Sequence, residues 1–161
     1  MLLTAPADGE DSCIEAVRFE TYASAAELTT LKGCGTRKPP NDPGTVAEDN
    51  LFAMDGPEVL RFTLRRAPRF LARLLDQVEP DGIACIVPHQ SSQAGLAALQ
   101  RLGMQVGKGV RILDRLGNCV AASIPMALYE AVSTKRLQRG ERCLLVGTSA
   151  GLTLGGALLR Y

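Results

Sequence analysis

The run Ile83-Ala84-Cys85-Ile86-Val87 carries no polar side chain at any position. Successive residues of a strand point to opposite faces, so a run that is apolar throughout needs cover on both. The turn signal Pro80-Asp81-Gly82 precedes it and Pro88 follows it, which bounds a short buried strand rather than a long helix. A chain built around such a strand must lay helices over both faces of a sheet. The helical material is present. Pro57 can open a helix, and Phe70, Leu71, Leu74, Leu75 and Val78 fall on one face, so a helix is predicted from 57 to about 78, kinked or split at Pro68. Ser91 or Ser92 can cap a second helix that ends at Gly103, and Ser123 a third that carries Pro125 in its first turn and reaches about Arg136. Strands are predicted over 14–22, 83–87, 111–113 (short), 143–147 and 152–161, the last two forming a terminal hairpin. This is an α/β chain with one domain over 1–161 and a mixed five-stranded sheet covered by helices. Residues 33–50, with three glycines and three prolines, read as a mobile loop.

Composition narrows the function. At 161 residues with 46% apolar and 22% charged residues, the chain can bury a real core. A net charge of +1 provides no field for nucleic acid or membrane, and 4% aromatics without tryptophan argue against base-stacking platforms. No apolar run approaches the ~18 residues of a spanning helix, and the start Met1-Leu2-Leu3-Thr4-Ala5-Pro6 lacks the charged and apolar regions of a signal peptide. The five cysteines form no CxxC pair and stand beside a single histidine, so no metal site is expected. They read as reduced thiols of a cytoplasmic protein, mostly small core residues.

That single histidine, His89, stands where the buried run stops, in Val87-Pro88-His89-Gln90, and Asn118 stands just before a predicted helix. An imidazole and a carboxamide at element ends can converge on one oxygen and stabilise negative charge there. A surface histidine and a capping asparagine would look the same in sequence. Gly147-Thr148-Ser149-Ala150-Gly151 matches the serine-hydrolase elbow, but a strand-like run follows it and His89 precedes it, both against that chemistry. Cys119, His89 and Asn118 are the residue types of a cysteine hydrolase, yet a nucleophile and its positioner are awkward as chain neighbours. Arg61, Arg65, Arg69 and Arg73 recur at every fourth residue and make a basic helical stripe, either solvated or suited to an acidic partner.

Three segments in order carry a resemblance: Pro88-His89-Gln90; Asp114-Arg115-Leu116-Gly117-Asn118-Cys119-Val120-Ala121-Ala122-Ser123-Ile124-Pro125; and Gly151-Leu152-Thr153-Leu154-Gly155-Gly156-Ala157-Leu158-Leu159. Together they resemble the C-terminal half of β-ketoacyl-ACP synthase III, in the thiolase-like superfamily. The resemblance implies a thiolase-like half-fold and a decarboxylative Claisen condensation of acyl-CoA with malonyl-ACP, as in fatty acid or polyketide-type biosynthesis. It implies that His89 and Asn118 donate to the malonyl thioester oxygen, that Ala150 gives a backbone N–H to a second oxyanion hole, and that Arg61 and Arg101 dock the acyl carrier protein. No cofactor is implied, since CoA and phosphopantetheine thioesters are substrates. The family's nucleophilic cysteine lies in an N-terminal half that this sequence lacks, so the chain alone is expected to be inactive. It is expected to self-associate, as a dimer or homo-oligomer, or to pair with a complementary half; the alternative is a non-catalytic partner subunit or interaction module. Ser92 replaces a frequent asparagine, Pro57 and Leu60 replace residues facing the family's tunnel, and Cys119 replaces a common threonine.

Overall fold

The computed structural model describes residues 4–76 and 78–161. The reading of Met1-Leu2-Leu3 and the place of Gln77 in the expected helix lie outside the described residues. The main sheet has strands β1 (Cys13–Thr21), β4 (Ile83–Pro88), β5 (Arg142–Ser149) and β6 (Thr153–Arg160) in the order β1-β6-β5-β4. Strands β4 and β5 are parallel, and the β1–β6 and β5–β6 pairs are antiparallel. The sheet is mixed and helix-covered, as its sequence requires. A fifth position is held only by a parallel bridge between Ile86 and Gly109, with Val110 N–H donating to Ile86 O at 2.8 Å. Residues 111–113 make no strand, contrary to expectation. The Gln90 side chain takes the backbone N–H groups of Ile112 and Leu113, which a ladder would need, and Leu113–Leu116 winds into a single helical turn, α3.

Helix α1 (Gly56–Leu74) starts at Asp55, whose carboxylate accepts from Glu58 N–H at 3.0 Å. Of the kink or split expected at Pro68, the split does not occur. Proline inside a helix costs about 3 kcal/mol. Val59 and Phe62 before it, and Phe70, Leu71 and Leu74 after it, are all buried, at roughly 1.5–3 kcal/mol each, so burial outweighs the lost bond. Phe70, Leu71 and Leu74 pack on Ile86, Leu144, Val146, Leu154 and Leu158, which makes one face of the sheet the larger core. Helix α2 (Gln93–Arg101) is capped by Ser92, which accepts from Gly95 N–H at 3.0 Å.

On the other face, Ala127 and Ala131 of helix α4 (Ser123–Ser133) cover Cys85, Val87 and Cys143. Two of the five cysteines are thus core residues; Cys13 and Cys34 are exposed and Cys119 is half-buried. The cover stops at the middle of the sheet. Ile14, Val17 and Phe19 of β1 stand opposite Leu159, Ala157 and Gly155 on this same face and are 59%, 55% and 72% exposed. The Phe19 ring lies on Gly155, where an added Cβ would come within 2.8 Å of it.

Two short strands, β2 (Thr29–Leu31) and β3 (Phe52–Met54), pair as a separate antiparallel ribbon that periodicity did not reveal. Between them, residues 33–50 are irregular except for a 3-10 turn at Ala47–Asn50, and the segment is tied internally by a Lys38–Asp49 ion pair of 2.7 Å. Among the described residues, no helix is long and apolar enough to cross a membrane.

Candidate active site

The site forms at the C-terminal ends of the parallel strands β4 and β5, where an α/β sheet leaves a crevice beyond its strands. His89 directly follows β4, and its N–H donates to Val146 O at 2.8 Å, which extends the ladder by one step. Gly147 makes room for it. A Cβ at Gly147 would lie 2.8 Å from His89 Cβ and 3.5 Å from Ile124 Cδ1, so only hydrogen lets the imidazole stem lie against β5. His89 is half-buried, and that burial lowers its pKa below the usual histidine value, so the ring is neutral near pH 7. A neutral imidazole has one N–H to offer.

Asn118 reaches the same place from the other side. It follows α3 and Gly117, whose φ of 68° turns the chain back. Its Nδ2 donates to Ser91 O at 3.4 Å, two residues along the chain from His89. Its Oδ1 accepts from Val120 N–H at 2.9 Å, so both ends of the carboxamide are held by backbone groups. Val120 holds that geometry at φ 49°, a left-handed conformation that costs a β-branched residue on the order of 1–2 kcal/mol. The strain sits beside the proposed donor, and the hydrogen bond to Asn118 is part of what sustains it.

Ser123 is a further correction. It was expected to cap α4, but its backbone is already helical (φ −58°, ψ −44°) and Ala122 occupies the cap position. The reason is that a 3-10 turn, Val120–Ala122, runs straight into the helix. The fully buried Ser123 hydroxyl instead accepts from Cys119 N–H at 3.1 Å and pins the segment after Asn118 to α4. Sequence reasoning also passed over Gln90. It is fully buried and hydrogen-bonded on every side. Its only signal was its place next to the single histidine.

Ala150 lies in the β5–β6 turn, next to Gly151 with φ 98°, at the same end of the sheet as His89. Arg61 lies in the second turn of α1 and is paired with Glu58, while Arg65 shares that carboxylate at 3.2 Å. Arg101 is the exposed last residue of α2. The end of α2 meets α1 around a cavity of about 280 Å³ lined by Leu71, Leu75, Leu102 and Met104. At ~1.5 Å per residue, Arg61 lies roughly 15 Å along α1 from Leu71 of that cavity. Among the described residues, no cluster of three or more histidine, cysteine or acidic side chains could hold a metal ion.

Comparison with known proteins gives a consistent result. Residues 75–161 match the family described as "3-Oxoacyl-[acyl-carrier-protein (ACP)] synthase III C terminal". The chain is 35% identical over 141 residues to a β-ketoacyl-[acyl-carrier-protein] synthase III of Desulfitobacterium hafniense, covering 86% of this chain and 43% of that one. It is 41% identical over 113 residues to the synthase III of Synechococcus sp., covering 68% of this chain and 34% of that one. Its fold superposes on the crystal structure of 3-oxoacyl-[acyl-carrier-protein] synthase III from Aquifex aeolicus with a TM-score of 0.78 at 28% identity, over 95% of this chain and 46% of that one. The chain therefore spans less than half the length of these relatives.

Proposed function

The chain belongs to the 3-oxoacyl-[acyl-carrier-protein] synthase III family, as its C-terminal half, and we propose that it supplies the decarboxylating half of such an enzyme's active site. What supports this reading is that Asn118 Nδ2 is held against the carbonyl of Ser91, two residues after His89, just beyond the end of β4. A malonyl thioester placed there receives one hydrogen bond from the neutral imidazole and one from the carboxamide on its thioester oxygen. As the bond to the carboxylate breaks, CO₂ leaves and its electron pair enters the thioester as an enolate. The oxygen becomes negative, and preorganised donors of this kind are worth about 3–4 kcal/mol each. The enolate carbon then attacks an acyl group held as a thioester on a cysteine of the N-terminal half. Carbon–carbon bond formation expels that cysteine as a thiolate. The Ala150 N–H is the proposed donor to the second, acyl-derived oxyanion.

In this reading acyl-CoA and malonyl-ACP are the substrates. Arg61 and Arg101 are separate basic contacts for the acidic carrier, read out by charge reversal as a raised KM for carrier-bound malonate. The exposed strip of Ile14, Val17 and Phe19 supports pairing with a complementary half, because an uncovered apolar sheet face in a half-length chain needs a partner. The decisive experiment uses the complete enzyme with its cysteine-bearing half. His89→Ala should lower malonyl decarboxylation about 100-fold or more while sparing acylation of the cysteine. Equal loss of both steps would refute the assignment. Native mass spectrometry of the chain tests the pairing: a stable monomer that ignores the N-terminal half counts against it.

A further inference from the structure

Gln90 has no polar surface left for solvent or substrate. Its Nε2 donates to Pro88 O at 2.9 Å and to Val110 O at 3.1 Å. Its Oε1 accepts from Ile112 N–H at 3.0 Å and from Leu113 N–H at 3.1 Å. A carboxamide has two donor hydrogens and two lone pairs, so its capacity is filled. The partners are not a random set. Pro88 and Gln90 flank His89, whereas Val110 to Leu113 lead through α3 to Asn118. Asn118 then returns to Ser91 O, and the strand end and the α3 segment form a closed ring of hydrogen bonds.

From this geometry we propose that Gln90 is the positioning residue that sets His89 and Asn118 at their working separation. The proposal rests on the decarboxylating reading above. Gln90 touches no reacting atom. It acts by joining two segments that have no continuous ladder between them, only the single bridge at Gly109. Two donors that must meet one oxygen are sensitive to their spacing, and a misplacement of about 1 Å in such a site can cost about 100-fold in rate.

The test uses Gln90→Glu and Gln90→Met in the complete enzyme. Gln90→Glu keeps the acceptor half of the clamp and loses the donors to Pro88 and Val110; Gln90→Met removes all four bonds at similar volume. The expected result is a fall of about 100-fold in kcat for malonyl decarboxylation with Gln90→Met and a smaller fall with Gln90→Glu. KM and cysteine acylation should be unchanged. In an Asn118→Ala background the effect of Gln90→Glu should largely vanish, since one of the two positioned donors is already gone. Equal slowing of both steps, or full additivity with Asn118→Ala, overturns the proposal. Loss of folding in both variants also overturns it, by assigning Gln90 to the fold alone. If the unmutated complete enzyme neither takes up an acyl group nor releases CO₂, the failure belongs to the functional reading itself.

Discussion

The two edges of the main sheet are finished in opposite ways. At the β4 edge the chain satisfies itself: the buried Gln90 fills the gap between β4 and the α3 segment, and α4 covers the strand. At the β1 edge the same face carries Ile14, Val17 and Phe19 in the open. The first edge holds the proposed donors and is closed by the chain's own hydrogen bonds and packing. The second leaves its apolar side chains exposed.

The contrast can be broken by mutation. Phe70, 1% exposed on the sheet-facing side of α1, belongs to the self-contained core. Phe70→Ala should cost about 3–5 kcal/mol, read from the denaturant midpoint; a loss below about 1 kcal/mol would mean that this core is not packed as described. Gly147→Ala should cost less, about 1–3 kcal/mol, because the new methyl meets His89 Cβ at 2.8 Å and one of them must move. Its sharper signature is a displaced resonance of the single histidine in NMR, and an unmoved His89 line would contradict the close contact.

A smaller effect separates the two regions by pH. Burial lowers the His89 pKa from 6.5, so the unfolded chain binds the proton more readily than the folded one. Its contribution to stability is complete above about pH 6.5 and fades as pH falls toward the lowered folded value. The carboxylates of Glu15, Glu20, Asp49 and Asp114 are also held low, Glu20 at about 2, by their hydrogen bonds to neighbouring side chains. Their contributions fade only below the ordinary carboxylate values of 4.5 and 3.8, which leaves pH 6.5 to 5 to His89. His89→Asn should flatten stability over that window; an unchanged slope would place its origin elsewhere. Smallest of all, Val17→Lys on the open strip should change the chain's own stability by less than about 0.5 kcal/mol and yet weaken association with the N-terminal half. A large stability loss would show that the strip already serves this chain.

Much of this was legible residue by residue. The buried run at 83–87 demanded two covered faces, and the glycine-rich end around Gly151–Gly156 returned as the β5–β6 hairpin. At Pro68, where a kink or a split was the expectation, burial on both sides kept α1 in one piece; propensity misled at 111–113, where a side-chain amide from position 90 took the ladder's hydrogen bonds. The β2–β3 ribbon was missed because three-residue strands are too short to display a period.

The sequence by itself determined the α/β class, the helix-covered strand ending in His89, and the kinship carried by three ordered segments, because alternation, turn residues and motif spacing are local properties of the chain. Only the tertiary structure decided that Asn118 bonds the Ser91 carbonyl, that the Gln90 side chain takes the hydrogen bonds a fifth strand would need, and that Ile14, Val17 and Phe19 stay exposed. The first two depend on hydrogen bonds between residues about 20 or more positions apart, and no local pattern encodes which partner a buried polar group will find; the third depends on which elements pack over the sheet.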